Sequence, residues 1–416
     1  MNILKFFTAG SVDDGKSTLI GRLLYDTDSI LADQLEALQQ SNRKNDDGTI
    51  DLAILTDGLR AEREQGITID VAYKYFQTEK RKFIIADTPG HIQYTRNMVT
   101  GASNANLAII LVDARNGVVE QTVRHSYLVS LLGINNVVVC LNKMDMVDYS
   151  EEVYQSITDK YKSLAVKLNL KEVNFIPVSA LKGDNIVNSS INMPWYKGES
   201  LLHFLENVEV DGGAKSPFAR MPVQWVIRPQ TDELHDYRGY AGRILSGSFK
   251  VNDKVTVLPS GTQSEVERIE VFDQTPEEAS AGMSVTIHLK DNIDISRGDM
   301  LVNSDHIAKN SQLIETDICW MDKRPLDESI TYLLQHNSKV TKCRIKEIIF
   351  KVDINTLEKR DAYDFSLNEI GRVVIKTADA LPFDLYEENK ANGSAILIDS
   401  RTNLTVAALM FRAVVD

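Results

Sequence analysis

The chain has 416 residues, of which 43% are hydrophobic and 25% charged, and its formal net charge is −13. This composition is that of a soluble globular protein, and the length predicts three domains at roughly 100 to 200 residues each. The acidic balance argues against a large sequence-independent grip on nucleic acid, and no apolar run approaches the ~18 residues that span a bilayer. Three widely spaced cysteines without a C-x-x-C pair argue against a disulfide framework, so we expect a cytoplasmic protein.

The first predicted domain, residues 1–210, alternates short apolar strands with amphipathic helices. The runs at residues 83–86, 107–112 and 137–141 are continuously apolar, which is typical of a parallel sheet that is covered on both faces. We therefore predict an α/β P-loop domain with a mostly parallel sheet and helices on both sides.

The first strand runs directly into a phosphate-binding loop. Residues 10–17 read G-S-V-D-D-G-K-S and fit the pattern G-x-x-x-x-G-K-[ST] between an apolar strand and a helical stretch. Backbone N–H groups of residues 13–18 are predicted to surround the phosphates, Lys16 to contact the β- and γ-phosphates, and the Ser17 hydroxyl to bind Mg²⁺. The predicted phosphate-binding residues are Gly10, Ser11, Val12, Asp13, Asp14, Gly15, Lys16, Ser17, Thr18, Asp87 and Gly90.

Further along the chain, two segments are predicted to respond to the γ-phosphate. Thr68 follows an insertion at residues 25–66 and is the candidate second hydroxyl ligand of Mg²⁺, although a threonine read alone would more often be a strand residue. Asp87 ends an apolar strand, at the sheet edge where α/β folds hold their ligands, and is expected to hold Mg²⁺ through water. The Gly90 N–H is expected to contact the γ-phosphate.

His91 directly follows the D-T-P-G sequence at residues 87–90. At this position a side chain can orient the attacking water, so His91 is the candidate catalytic residue, although an isolated histidine is more often structural.

The sequence N-K-M-D at residues 142–145 follows another apolar strand and predicts guanine recognition. The Asp145 carboxylate can accept hydrogen bonds from the guanine N1–H and exocyclic amine, which adenine lacks, and such a site rejects the wrong base by roughly 10⁴ or more. Asn142 is expected to brace the P-loop and the base, and the Lys143 stem to lie over the ring. Backbone N–H groups of Ser179 and Ala180 are expected to contact the guanine O6.

After the linker at residues 211–216, short strands broken by glycines replace the α/β pattern. They predict two small β-barrel domains, at residues 217–303 and 307–416.

The motifs, the insertion and the two barrels together resemble the translation-factor class of GTPases, the elongation factor Tu and 1-alpha group, over the whole chain. At finer detail, residues 10–24, 57–73, 87–97, 142–150 and 193–196 are similar to the large GTPase subunits of heteromeric bacterial sulfate adenylyltransferases. Asp14, where translation factors carry histidine, favours the same family. Two departures are Ile92 in place of a usual glutamate and Asn252-Asp253 in place of a Gly-Asp turn, and neither touches a predicted nucleotide contact.

The resemblance implies that GTP hydrolysis, with Mg²⁺, drives the unfavourable formation of adenosine 5′-phosphosulfate and pyrophosphate from ATP and sulfate, in sulfate assimilation. The implied partner is the small ATP-pyrophosphatase-like catalytic subunit, in a heterodimer or higher hetero-oligomer, with no nucleic acid and no membrane. The sequence has no second nucleotide-binding loop of the S-G-G-x-D-S type, so adenylyl transfer is expected on that partner.

Two other functions stay open at this point. A translational GTPase that binds aminoacyl-tRNA shares the three-domain plan and would bind charged tRNA in a salt-sensitive, GTP-dependent way. A stand-alone P-loop ATPase or kinase would require adenine recognition and would bind ATP tightly in the presence of excess GTP.

Overall fold

A computed structural model of the chain describes residues 3–30, 52–55, 70–90, 95–210, 217–229 and 237–415. The chain forms two compact units, Met1–Asp211 with Ile354–Thr356, and Gly212–Asp353 with Leu357–Asp416. Thr68, His91 and most of the insertion predicted at residues 25–66 lie outside the described residues. Within those described ranges, no helix combines the length and the apolar character needed to cross a membrane.

The first unit is built on a sheet of six strands among its described residues, in the order β2-β3-β1-β4-β5-β6. The strands are β1 Ile3–Ala9, β2 Ala72–Gln77, β3 Lys82–Asp87, β4 Leu107–Asp113, β5 Asn136–Asn142 and β6 Glu172–Pro177. β2 runs antiparallel to β3, and the other neighbouring strands are parallel. Every residue of β4 and β5 is buried, which is why these strands read as unbroken apolar runs.

The helices of the first unit pack their apolar stripes against this sheet. They are α1 Lys16–Asp26, α2 Thr95–Ala102, α3 Glu120–Leu131, α4 Glu151–Lys167 and α5 Leu201–Asn207, with short 3₁₀ turns at Leu52–Leu55 and Met144–Val147. In α1, the leucine and isoleucine side chains at positions 19, 20, 23 and 24 join the core formed by β1 and β4, a spacing that gives one apolar helical face. The predicted α/β P-loop fold is confirmed.

The strand order brings together the polar residues that follow or end several strands of this sheet. β1 lies between β3 and β4. The connection after β1 leads to the side of β2 and β3, whereas the connection after β3 crosses to β4 on the other side, and in such sheets ligands bind at the carboxyl ends of the strands beside this reversal. The phosphate loop follows β1, while Asp87, Asp113 and Asn142 are the last residues of β3, β4 and β5. All of them therefore meet at one edge.

The second unit contains a closed barrel and a larger sheet among its described residues. The barrel has the order β10-β11-β13-β8-β7-β14, and β9 pairs with β12 beside it. These strands are β7 Arg220–Ile227, β8 Gly239–Arg243, β9 Ser248–Lys250, β10 Lys254–Leu258, β11 Thr262–Glu270, β12 Glu278–Ser280, β13 Ser284–Leu289 and β14 Met300–Asn303.

The larger sheet has the order β16-β20-β21-β15-β19-β17-β18, and an additional pairing of β16 with β17 closes it on itself. Its strands are β15 Lys309–Trp320, β16 Tyr332–His336, β17 Lys339–Val352, β18 Lys359–Arg360, β19 Ile370–Phe383, β20 Ser394–Ile398 and β21 Thr405–Val414. The predicted β-barrels are confirmed, and the domain limits at residues 210, 217, 303 and 307 stay a prediction.

A buried ion pair joins the two barrels of the second unit. The Arg220 guanidinium, 2% exposed, donates to both carboxylate oxygens of Asp384 at 2.9 to 3.1 Å. Asn389 and Asn392 donate to the same carboxylate at 3.0 and 2.9 Å. Arg220 also donates to the His306 carbonyl at 2.8 Å, so both charges are compensated without solvent.

Candidate nucleotide-binding site

The phosphate loop begins where β1 ends and leads directly into α1. Gly15 precedes the helix with a φ of 90°, and Asp13 has a φ of 65°, a left-handed conformation that glycine adopts most readily. A Cβ atom on Gly15 would collide with the Asn142 side-chain nitrogen, so space as well as conformation requires glycine. The first-turn N–H groups of a helix have no intrahelical acceptors, which suits this end of α1 to a phosphate group.

The ammonium of Lys16 lies inside the loop. It donates to the carbonyl oxygens of Gly10 at 2.8 Å and Ser11 at 3.0 Å, and the side chain is buried. Burial lowers the pKa of Lys16, and the nearby Asp87 carboxylate opposes that effect. A lysine charge held by neutral carbonyl groups can exchange them for the oxygens of a phosphate, which form stronger charge-assisted bonds.

Asp14 closes the loop on itself. Its Oδ2 atom accepts a hydrogen bond from the Ser11 N–H at 2.5 Å, and its side chain is buried. Burial raises the pKa of the Asp14 carboxyl, although the Ser11 hydrogen bond and the Lys16 charge act in the opposite direction. The Ser11 N–H is therefore bonded within the loop, and the phosphate contact predicted for Ser11 stays a prediction.

The segment that follows β3 lies directly against the loop. A Cβ atom on Gly90 would collide with the Gly10 carbonyl oxygen and with the Lys16 Nζ atom. Only glycine fits there, and a group bound by the Lys16 ammonium lies next to the Gly90 backbone. The contact predicted from the Gly90 N–H to a γ-phosphate stays a prediction.

Asp87 at the end of β3 and Ser17 at the start of α1 carry oxygen atoms suited to Mg²⁺. Asp87 is buried at the end of β3 and accepts a hydrogen bond from Thr8 Oγ1 at 3.4 Å, while Thr88 Oγ1 donates to the Thr8 carbonyl at 2.6 Å. Ser17 is half-buried in the first turn of α1. Carboxylate and hydroxyl oxygens are ligands that Mg²⁺ prefers, so this donor set fits the ion. Thr68, the other predicted ligand, lies outside the described residues.

Asn142 joins the phosphate loop to the segment after β6. Its Nδ2 atom donates to the Asp14 carbonyl at 2.8 Å, and its Oδ1 atom accepts from the Ala180 N–H at 2.9 Å. The Ser179 N–H donates to the Asp184 carbonyl at 3.2 Å. Both N–H groups thus have acceptors within the protein, so the guanine O6 contact predicted for them is not pre-formed here and stays a prediction.

Sequence reasoning missed Arg22 of α1. Its Nε and Nη2 atoms donate to the carbonyls of Ala180 and Leu181 at 3.1 and 2.6 Å, and its Nη1 atom lies 3.5 Å from an Asp26 carboxylate oxygen. The helix that begins at the phosphate loop therefore also holds the segment that is predicted to contact the base. An arginine inside a helix carries no motif, so the sequence offered no signal for this role.

Lys143 connects the N-K-M-D segment at residues 142–145 to the phosphate loop. Its backbone has a φ of 64°, and its Nζ atom donates to the Asp13 carbonyl at 2.5 Å. The same atom lies 3.0 Å from Oδ2 of Asp113, which in turn pairs with Arg115 at 2.6 Å. Sequence reasoning missed this aspartate and arginine, although Asp113 follows an apolar strand just as Asp87 does, and that position was the available signal.

The charge state of Asp113 follows from these contacts. Burial by itself would raise the pKa of Asp113, but hydrogen bonds from Arg115 and Lys143 outweigh burial and lower it to about 2. The carboxylate is therefore ionised at neutral pH.

Asp145 lies in the 3₁₀ turn Met144–Val147, directly after Lys143, and is half-buried. The neighbouring Met144 side chain is fully buried, and its N–H donates to the Val178 carbonyl at 3.2 Å. This anchors the turn beside the end of β6. The hydrogen bonds predicted from the Asp145 carboxylate to guanine stay a prediction.

Of the predicted site residues, the structure thus brings the phosphate loop, Asp87, Gly90, Asn142, Lys143 and Ala180 into one connected cluster. His91, the predicted catalytic residue, lies outside the described residues.

Comparisons with known proteins identify the family. A family model described as the elongation factor Tu GTP binding domain matches residues 1–211, and one described as GTP-eEF1A C-terminal domain-like matches residues 313–412. Sulfate adenylyltransferase subunit 1 of Bacteroides fragilis is 52% identical over 98% of this chain and 86% of its own length. The chain belongs to the sulfate adenylyltransferase subunit 1 family. The recognition made from the sequence motifs is confirmed.

Other relatives agree with this assignment. The proteins of the same name from Pseudoalteromonas atlantica and Psychromonas ingrahamii are each 50% identical, over 98% and 100% of this chain and 87% and 88% of their own lengths. Among solved structures, Sup35 complexed with GDP matches with a TM-score of 0.45 and 23% identity over 100% of this chain and 95% of that one. The family assignment rests on the sequence relatives and on the matched GTP-binding domain.

Proposed function

We propose that this chain hydrolyses GTP and that hydrolysis drives sulfate activation on a partner chain. ATP and sulfate would give adenosine 5′-phosphosulfate and pyrophosphate on the partner, while GTP and water give GDP and phosphate here. The observation that carries the proposal is the connected cluster in which Lys143 and Asn142 bind the carbonyls of the phosphate loop. This cluster links the phosphate loop to residues 142–145, which we call the guanine-reading loop. The relatives of this chain are named sulfate adenylyltransferase subunit 1.

Guanine selection is assigned to Asp145, and phosphate binding to the loop at residues 10–18 with Asp87 and Gly90. The buried Lys16 ammonium supplies a positive charge for the β- and γ-phosphates. Ser179 and Ala180 complete the base side of the site. A bound base would lie beside the Lys143 stem, because the Nζ atom of that side chain reaches the phosphate loop.

Mg²⁺ is the cofactor that this oxygen donor set fits, and Ser17, Asp87 and Thr68 would hold it. When bound, the ion neutralises charge on the β- and γ-phosphates. His91 is proposed to orient the attacking water, since it directly follows Gly90, whose backbone lies against the loop.

The partner is proposed to be the small ATP-pyrophosphatase-like subunit, in a heterodimer or larger hetero-oligomer in the cytoplasm. The name "subunit 1" that these relatives carry supports a second subunit. The sequence agrees with this division of labour, because it contains no second nucleotide-binding loop of the S-G-G-x-D-S type.

The test is GTP turnover by the purified chain, alone and with the co-purified small subunit, ATP and sulfate. We expect turnover to rise when all three are present, and adenosine 5′-phosphosulfate to accumulate with GTP but not with a non-hydrolysable analogue. Product formation that is equal with and without GTP hydrolysis would refute the coupling. GTP-dependent, salt-sensitive binding of charged tRNA would instead point to a translational role.

A further inference from the structure

We propose that Asp113, which is neutralised by Arg115, is a positioning residue that fixes the Lys143 ammonium between the phosphate loop and the guanine-reading loop. This inference rests on the proposed nucleotide site and adds to it a buried side chain that none of the motifs contains.

The Asp113 carboxylate is shared between two cations. Its Oδ1 atom accepts from the backbone N and the Nε atom of Arg115 at 2.9 and 3.0 Å. Its Oδ2 atom accepts from Arg115 Nη2 at 2.6 Å and lies 3.0 Å from Lys143 Nζ. The carboxylate is 2% exposed, whereas the arginine is 42% exposed and separates it from solvent. The arginine therefore compensates the buried charge, and the Oδ2 atom is shared between the arginine and the lysine.

The parallel register of the sheet makes this arrangement possible. Asp113 ends β4 directly opposite Asn142, which ends β5, and the Ala114 N–H donates to the Asn142 carbonyl at 2.9 Å. The side chain of the next residue, Lys143, returns to the same edge because its backbone is left-handed. A carboxylate at the end of β4 is thus the group from the neighbouring strand that can hold this ammonium.

The Lys143 ammonium and the side-chain amide of the neighbouring Asn142 bind consecutive carbonyls of the phosphate loop. Lys143 Nζ donates to the Asp13 carbonyl at 2.5 Å, and Asn142 Nδ2 donates to the Asp14 carbonyl at 2.8 Å. A lysine side chain loses rotamer entropy when it is held in one position, and Asp113 restricts that freedom before a nucleotide binds. Pre-organisation of this kind acts mainly on the dissociation rate of a ligand.

The experiment compares the full chain with its Asp113→Asn variant, using the dissociation rate of fluorescent mant-GDP in stopped-flow measurements. Asparagine keeps the shape but removes the charge, and we expect dissociation to accelerate roughly tenfold or more, as for loss of a charged hydrogen bond, with little change in association. The matched control is Asp159→Asn, which removes a carboxylate that is 72% exposed on α4 and leaves dissociation unchanged.

A double-mutant cycle separates positioning from simple packing. If Asp113 acts through the lysine, Asp113→Asn changes dissociation less than about twofold in a Lys143→Ala background, because the two effects are coupled. Fully multiplicative effects of the two substitutions would overturn the proposal.

If circular dichroism shows that Asp113→Asn does not fold, Arg115→Ala takes its place, because that side chain is 42% exposed and its removal leaves the buried carboxylate in place. It is expected to accelerate dissociation in the same direction, again only while Lys143 is present, and an unchanged rate would overturn the proposal. Failure of the unmodified chain to bind mant-GDP would refute the proposed function together with this inference. Normal binding by the unmodified chain with no effect of either substitution refutes this inference alone.

Discussion

Two buried polar clusters, one in each unit, show how similar chemistry serves different purposes. In the second unit, the Asp384 carboxylate and the Arg220 guanidinium satisfy each other and are completed by asparagine side chains and carbonyl groups. In the first unit, the hydrogen bonds of the Lys16 ammonium to described residues go to neutral carbonyls. A closed ion pair fixes a structure, whereas a cation held by weaker acceptors can change partners when a phosphate arrives.

The largest effect is expected from breaking the buried Arg220–Asp384 ion pair. Arg220→Ala leaves the Asp384 charge buried without its main partner, which typically costs about 3 to 5 kcal/mol of unfolding free energy. Calorimetry should show a lowered transition for the second unit, while GDP affinity is retained. Lys250→Ala, at an ion pair whose two side chains are 59% and 44% exposed, should leave stability nearly unchanged. Equal effects of the two substitutions would contradict the comparison.

The next largest effect concerns the phosphate loop around Lys16. Gly90→Ala forces a Cβ atom against the Gly10 carbonyl and the Lys16 ammonium, and overpacking of this kind costs about 1 to 3 kcal/mol of stability. The segment can relieve the clash only by moving away from the phosphate loop, so we expect GTP affinity to fall. Titration with GTP measures the loss. Gly261→Ala, in the second unit, is the control, because its added Cβ meets no atom within 4 Å and its cost comes from the backbone φ of 77° alone, so GTP affinity should be unchanged. Unaltered GTP affinity in Gly90→Ala would argue against the placement of this segment beside the bound phosphates.

A smaller effect is expected where α1 holds the base side of the site. Arg22→Met removes both hydrogen bonds to the carbonyls of Ala180 and Leu181, so we expect GDP affinity to fall about five- to tenfold, at about 1 kcal/mol of net loss. Asp26→Asn is the sharper control, because it removes only the carboxylate that pairs with Arg22 at 3.5 Å. Isothermal titration that finds the same loss for both substitutions would assign the effect to the ion pair instead.

The last expected effect is a dependence of stability on pH. Because the pKa of Asp113 is lowered to about 2 from an ordinary value of 3.8, its contribution to stability is present above pH 4 and is lost as the pH falls toward 2. The stability difference between the unmodified chain and Asp113→Asn, on the order of 2 kcal/mol, should therefore shrink between pH 4 and pH 2. Calorimetry measures this stability difference in the unfolding transition that GDP shifts at neutral pH. A stability difference that is constant with pH would contradict an ionised Asp113 carboxylate.

Local patterns in the sequence predicted the parts of the site that depend on neighbouring residues. The phosphate loop, the carboxylate at the end of β3 and the N-K-M-D segment each follow an apolar strand, so both their existence and their shared edge could be predicted. Arg22 could not be predicted, because its partners, the carbonyls of Ala180 and Leu181, lie far away in the sequence. Asp113 and Arg115 are two residues apart, but the contact of Asp113 with Lys143 depends on the pairing of β4 with β5. Arg220 and Asp384 are 164 residues apart, and two isolated charges in the sequence gave no sign of that pairing.

The most direct test of the central claim joins base recognition to the chemical output. In the chain reconstituted with its small subunit, ATP and sulfate, Asp145→Asn should weaken the response to GTP and allow XTP to drive formation of adenosine 5′-phosphosulfate, because the asparagine amide can donate to the xanthine oxygen. The unmodified chain should respond to GTP and not to XTP. Unchanged stimulation by GTP in the Asp145→Asn complex, with none by XTP, would contradict the account.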